Sequence, residues 1–346
     1  MAQHEVTKPV ELLDDNGHLV EEGWARRPYW RYDRERIKAP WHRIKEWDYY
    51  YVLSQDRQYG ITFTMADLGY AGLFAVAWLD FKNGTFTQLD TMSILPRGKT
   101  GFSPTAEKGD VFFQDKKLSL SFRVEGNNRV ISVESPSFEN IKGEKGLKGE
   151  ISLYQDPAMD SMVIATSWKE NRRAFYYNHK TTCMPASGSV VIGGTEYAFA
   201  PEDSFGGLDW GRGNWTYKNR WYWGSASGLL GGSPFGWNIG YGFSDRGPAS
   251  ENMIFYKHRA HKLDEVTFHF DTKDYMAPWK FSSSDGRFEM DFEPAVDRSG
   301  AFNVGIIKSI QHQVFGYFTG HAVLDDGKKL RVERFLGFAE DVLNWW

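Results

Sequence analysis

Strict alternation of apolar and polar residues is the feature that most limits what this chain can fold into. Leu118, Leu120, Phe122 and Val124 alternate with Ser119, Ser121 and Arg123. Ile61, Phe63 and Met65 alternate with Thr62 and Thr64, and Val266, Phe268 and Phe270 with Thr267, His269 and Asp271. Phe288, Met290 and Phe292 alternate with Glu289, Asp291 and Glu293. A period of two places one set on each face of a strand. Asn83-Gly84, Gly126-Asn127-Asn128, Asp285-Gly286 and Asp326-Gly327 lie between such runs. These pairs accept the positive φ of tight hairpin turns. The pattern predicts about eighteen short strands. It predicts no helix beyond short turns near Asp33 to Ile37 or the C-terminus, and a charged, glycine-rich loop over 138–150. Neither a phosphate-binding G-x-x-x-x-G-K-[ST] nor a strand-linked G-x-G-x-x-G occurs, which argues against a nucleotide-binding α/β fold. The expected class is all-β: two antiparallel sandwich or barrel domains packed together. Residues 200–236 are rich in glycine and tryptophan, so the junction is placed near 205, giving domains 1–205 and 206–346.

The 346 residues suffice for two domains. A net charge of −4 gives no field to attract a polyanion, and the early arginines, Arg26 to Arg36, are interspersed with acids. No nucleic-acid partner is expected. Cys183 is the single cysteine, so no internal disulfide can form. The polar N-terminus lacks a signal-peptide pattern. Tyr70 to Leu79, the most apolar run, is too short to span a bilayer. These readings predict a cytoplasmic protein without stable membrane insertion, and leave the oligomeric state unassigned. Fourteen Trp, 17 Tyr and 25 Phe are the compositional anomaly. They suit either a barrel core or a cavity for a flat or greasy ligand.

The chemistry-bearing segment runs from Val190 to Gly228. Asp209, Trp210 and Arg212 sit between glycines, followed by Tyr217, Trp221, Trp223 and Ser225. Alternation puts Trp221, Trp223 and Ser225 on one face of a strand and Tyr222 and Gly224 on the other, so both faces are expected to be buried. A carboxyl among Trp rings can have its pKa raised and serve as an acid near neutrality. The residues equally admit an Asp209–Arg212 ion pair that pins the loop.

A glycine turn with Gly193, Gly194 and Tyr197, then Asp209-Trp210-Gly211, then Trp221-Tyr222-Trp223 and a Ser/Gly run resembles the central motif of the AttH and carotenoid hydratase (hydroxyneurosporene synthase) superfamily. Across nearly its full length the chain also resembles a large bacterial and fungal family within that superfamily. Gly23-Trp24, Lys45 to Tyr50, Asp209 to Trp215, Trp221 to Gly228, Glu251-Asn252, His261 to Leu263, Pro278-Trp279, Ser283 to Arg287 and His312 to Gly320 carry this likeness. The hydratase likeness is confined to the short central segment, and Trp210 stands there in place of the superfamily's usual His. The resemblance implies two lipocalin-like domains, a ligand site between or inside them, and cofactor-independent chemistry on lipophilic alkenes. It makes Asp209 the position that protonates an alkene.

The remaining candidates each have a plain structural alternative. Glu251 and Asn252 either face a cavity or cap a turn. Asp285 suits a turn role, and Arg287 either binds a substrate anion or forms a cross-strand pair. His312 is either a general base or a hydrogen-bonded core residue. His258 and His261 fall on opposite faces of a strand, so no metal is expected. The resulting expectation is a hydratase, lyase or isomerase that needs no cofactor and acts on a hydrophobic small molecule. Asp209 would be the acid, with His312 or Glu251 as base. Trp210, Arg212, Tyr217, Trp221, Trp223, Ser225, Asn252, Trp279, Asp285 and Arg287 would contact substrate. Two alternatives stand beside it: a lipid or hydrophobic-metabolite carrier, and a carbohydrate-active enzyme with paired carboxylates.

Overall fold

The computed structural model describes residues 3–346. Two antiparallel sheets account for almost all of its regular structure. The 13-stranded N-terminal sheet runs from its Thr85–Ile94 edge through Ala71–Asp80, Tyr59–Asp67, Ile44–Ser54, Ser204–Asn214 and Asn171–Ile192. Lys145–Tyr154, Asn128–Glu139, Ser119–Glu125 and Val111–Gln114 complete that path. The nine-stranded C-terminal sheet is centred on Lys218–Leu230, Lys329–Trp345, Ile307–Val323 and Phe288–Val304. Each sheet curls into a half-barrel, so the all-β pair of domains that the alternation predicts takes the lipocalin-like form that the resemblance implies. Among the described residues no helix is long and apolar enough to cross a membrane.

Each alternating run buries its apolar face. Ile61, Phe63 and Met65 are sealed in the N-terminal core, and Phe288, Met290 and Phe292 in the C-terminal one. A third cluster joins the halves: Tyr49, Tyr51 and Leu53 from one sheet meet Trp223, Phe315 and Phe338 from the other. Tyr50 and Val52, between those tyrosines and Leu53, point into the N-terminal core instead. The strand Ile44–Ser54 is therefore buried on both faces. One short 3-10 turn, Arg34–Arg36, forms where expected, capped by Asp33, whose carboxylate accepts the Glu35 N–H at 2.9 Å.

Three expectations are corrected. Residues 138–150 do not form a long loop: Asn128–Glu139 and Lys145–Tyr154 are paired strands joined by a tight turn, with Leu147 and Ile151 buried. The C-terminus is the end of a strand, Lys329–Trp345, not a helical turn. The chain passes between sheets after Asn214 rather than near 205. Ser204–Asn214, despite four glycines, is a central strand of the N-terminal sheet, paired with both Asn171–Ile192 and Ile44–Ser54. Two of them, Gly207 and Gly211, lie under aromatic rings. A Cβ at Gly211 would sit 2.0 Å from the Trp47 ring, and one at Gly207 2.6 Å from Tyr51.

Candidate functional site

Where the half-barrels meet, a cavity of about 190 Å³ opens between their facing sheets. Strand register builds its polar floor. On the N-terminal side, Lys180, Asp209, Tyr49 and Thr64 lie opposite one another across four neighbouring strands. On the C-terminal side, Arg298, Gln313, Glu340, Trp223 and Gly240 form a similar row across five strands. Trp47, Tyr176, Trp215 and Trp221 supply aromatic walls.

The two rows are tied together. The Lys180 ammonium lies 3.1 Å from Glu251 Oε2 and 3.7 Å from Asp209 Oδ2, and 4.0 Å from the centre of the Trp223 ring. Asn178 Nδ2 donates to the other Asp209 oxygen at 2.6 Å. Tyr176 OH donates to Glu251 Oε2 at 3.4 Å. Tyr49 OH donates across the interface to Gln313 Oε1 at 3.1 Å, an oxygen that also accepts from Arg298 at 2.7 Å. Gln313 Nε2 and the Trp221 indole N–H each donate to an oxygen of Glu340, at 3.2 and 2.9 Å. Burial pushes the Glu340 carboxyl up to about 7, against the opposing pull of the Trp221 hydrogen bond and of Lys180. The floor thus holds three carboxyl groups, one of which binds its proton near neutrality, and one ammonium shared by the other two.

Glu251 Oε1 is buried without a hydrogen-bond partner. It lies over Gly240, where an added Cβ would come within 2.0 Å of it and 2.9 Å of the Tyr222 carbonyl. Gly240→Ala is expected to displace Glu251 from Lys180 and to cost roughly 1–3 kcal/mol. Chemical denaturation checks this, and an unchanged stability would refute it.

Of the residues singled out from sequence, Asp209, Glu251, Trp221 and Trp223 line this cavity. Tyr217 lies outside its lining, beneath the Arg43 guanidinium and bonded to the Ile306 carbonyl. The others sit elsewhere, for identifiable reasons. Asp209 and Arg212 are three apart in a strand and so face opposite ways, which excludes their ion pair. Arg212 is fully buried on the N-terminal barrel side. It pairs with Asp48 at 3.0 Å, lies 4.0 Å from the centre of the Trp210 ring, and donates to the carbonyls of Trp47, Gly211 and Ser103. Trp210 packs there with Tyr32 and Tyr177. Ser225 bonds Tyr51 OH and the Trp237 carbonyl, and so helps to fasten the halves together. Asn252 joins the Gly240 N–H to the Asp264 carbonyl. Trp279 is C-terminal core. Asp285 accepts backbone N–H groups of Asp264 and Arg287, and Arg287 pairs with Asp325 at 2.6 Å. His312 lies on the opposite face of its strand from Gln313. It stacks on Tyr275 at 3.7 Å and hydrogen-bonds Asp297 at 2.8 Å. His312 therefore cannot be the base in this cavity.

Sequence reasoning passed over Lys180, Tyr176, Arg298 and Glu340. Alternation did hold a signal for three of them. Tyr176, Asn178 and Lys180 fall on one face of a strand, and Glu340 interrupts the apolar run before Trp345. Among the described residues no group of three His, Cys, Asp or Glu is placed to hold a metal ion.

A family described as a domain of unknown function, DUF2804, matches residues 3–346. The chain belongs to the DUF2804 family. This DUF2804 chain is similar in fold to an AttH protein of Nitrosomonas europaea, with a TM-score of 0.56 at 13% identity over 86% of this chain and 92% of that one. It is also similar to CghA solved with Sch210972, with a TM-score of 0.52 at 11% identity over 87% of each chain. A search of curated proteins by sequence found no match. This DUF2804 member thus shares its overall fold with these two proteins.

Proposed function

We propose that this protein is a cofactor-independent acid–base enzyme that adds water to, removes it from, or shifts a double bond in a small, mainly apolar molecule bound between the half-barrels. The observation that carries the reading is the Glu340 carboxyl, held near neutral pKa in a cavity that also contains the Asp209–Lys180–Glu251 cluster. A proton donor works best when its pKa lies near the working pH. In the hydration direction, protonated Glu340 gives its proton to an alkene carbon. Water attacks the cation formed, and its proton passes to Asp209 or Glu251; solvent reprotonates Glu340. Two carboxylates against one ammonium, together with indole faces, stabilise the cationic transition state.

Cavity size limits the substrate. An apolar cavity of about 150 Å³ holds one benzene ring. The 190 Å³ here suits a one- or two-ring molecule or a short prenyl segment. A carrier needs no such acid group, and an interior with three carboxyls is costly for carriage alone. The likeness in fold to CghA, solved with the small molecule Sch210972, supports ligand binding in this architecture.

The test is mass spectrometry of host small-molecule extract incubated in D2O with wild type, Glu340→Gln and Asp209→Asn. A compound that gains or loses water, or takes up deuterium, only with wild type is the expected result. A compound that co-purifies unchanged with all three proteins would make this a carrier.

A further inference from the structure

The cavity face of each sheet continues outward into exposed apolar residues. On the N-terminal side, Ala66 and Leu73 line the cavity, and Met92 lies next in the same cross-strand row. Met92 is 58% exposed, and Ile94, two residues along on the same face, 86%. On the C-terminal side, Arg298 lines the cavity, and Phe302 and Val304 occupy the same face of its strand further out. The hairpin that carries them turns at Gly305, so Phe302, Val304 and Ile306 form its tip, 48%, 55% and 76% exposed. Gly84 faces Ala295 and Gln88 bonds Arg298, so the edge strand Thr85–Ile94 and the outer part of Phe288–Val304, beyond its pairing with Trp279–Ser283, run side by side in one direction. Their ends therefore project on the same side.

Apart from Asp90, two residues before Met92 on the same face, and Asp115, which bonds Thr91, the charge around this rim is positive. No acidic residue occurs from Thr91 to Ala106, from Trp210 to Ser244 or from Arg298 to Leu324, in a chain with 45 of them. Arg97, Lys99 and Lys218 are exposed in these stretches. Lys218 and Lys308 flank Trp345 at 4.3 and 5.1 Å, beside the hairpin tip. Arg97 lies over the ring of Trp41, which is itself exposed. Apolar tips ringed by cations and interfacial tryptophans are the arrangement that seats on an anionic lipid surface.

We infer that the rim formed by Met92, Ile94, Phe302, Val304 and Ile306 docks this protein peripherally on an anionic bilayer, with the cavity mouth turned toward the lipid. An apolar ligand then reaches the cavity along the apolar Met92, Leu73 and Ala66 row. The ligand route rests on the proposed function, whereas docking itself is read without turnover, so the two fail separately.

Sedimentation with phosphatidylcholine vesicles, with and without phosphatidylserine, tests it. Wild type is expected to pellet with the phosphatidylserine vesicles and to be released by salt. Phe302→Ser/Ile306→Ser should weaken binding about tenfold or more. Lys218→Ala and Lys308→Ala should each weaken it roughly fivefold. All four side chains lie at the surface or rim, and circular dichroism controls for folding. Wild type that stays in the supernatant with both vesicle types overturns the inference. So do tip variants that pellet as wild type does, or tip-dependent self-association seen by analytical ultracentrifugation without vesicle binding.

Discussion

Glu340→Gln is expected to be inactive and yet more stable than wild type at pH 8. The Glu340 carboxyl rises from 4.5 to about 7 on folding because burial penalises its charge. Below pH 4.5 it is protonated in both folded and unfolded chains and contributes no pH dependence. Between there and pH 7 the folded protein holds a proton that the unfolded chain has released, so wild-type stability falls as pH rises, and it levels off above 7. The full shift corresponds to roughly 3 kcal/mol. Glutamine is neutral throughout and escapes this loss. Its amide, however, meets the Gln313 Nε2 donor that a carboxyl oxygen accepts, which returns about 1 kcal/mol. The net expectation is about 2 kcal/mol in favour of Glu340→Gln at pH 8, shrinking to zero or below near pH 5. Denaturant titration across that range measures it. Removing the acid should lower turnover by about 10²- to 10⁴-fold. Wild-type activity should itself fall as pH rises through 7. A variant that is less stable than wild type at pH 8, or that keeps its activity, sinks the assignment.

Much of the fold was legible from sequence because alternation survives wherever one sheet face is polar. It fails where both faces are buried. Glu46 and Asp48 enter the N-terminal barrel, while Trp47 and Tyr49 turn to the cavity, so the charged and aromatic residues of that strand do not sort by exposure. The glycines of Ser204–Asn214 read as a junction because glycine disfavours strands; the rings that rest on Gly207 and Gly211 come from residues some 160 positions earlier. The motif around Asp209 did mark the cavity, but its neighbours Trp210 and Arg212 belong to the opposite face. Applying the period-two rule to Asp209 and Arg212, as to His258 and His261, separates them without a structure. Lys180 and Glu340 lie far from the motif in sequence, and only strand register across the sheets brings them to Asp209 and Trp223. That register joins residues far apart in the sequence, and no local pattern shows which strands it brings together.

Lys180→Met should be the most damaging single change in the cavity. Lys180 is 4% exposed and is the ammonium paired with both Asp209 and Glu251. Methionine fills similar space but leaves two buried carboxyls facing each other without a counter-charge. Breaking such a cluster by removing one partner costs about 3–5 kcal/mol. Like charges at close range raise the pKa of one of the two, so the folded variant takes up a proton. Its stability deficit should therefore be largest at pH 8 and shrink toward pH 5, where that proton is freely supplied. The triple variant Lys180→Met/Asp209→Asn/Glu251→Gln separates charge from shape. With no charge left to desolvate, it should regain most of the lost stability while remaining inactive. A single variant within about 1 kcal/mol of wild type at every pH would mean that water reaches the carboxyls and screens them. The cavity floor would then be too wet for the raised Glu340 pKa, and the acid–base reading would lose its basis.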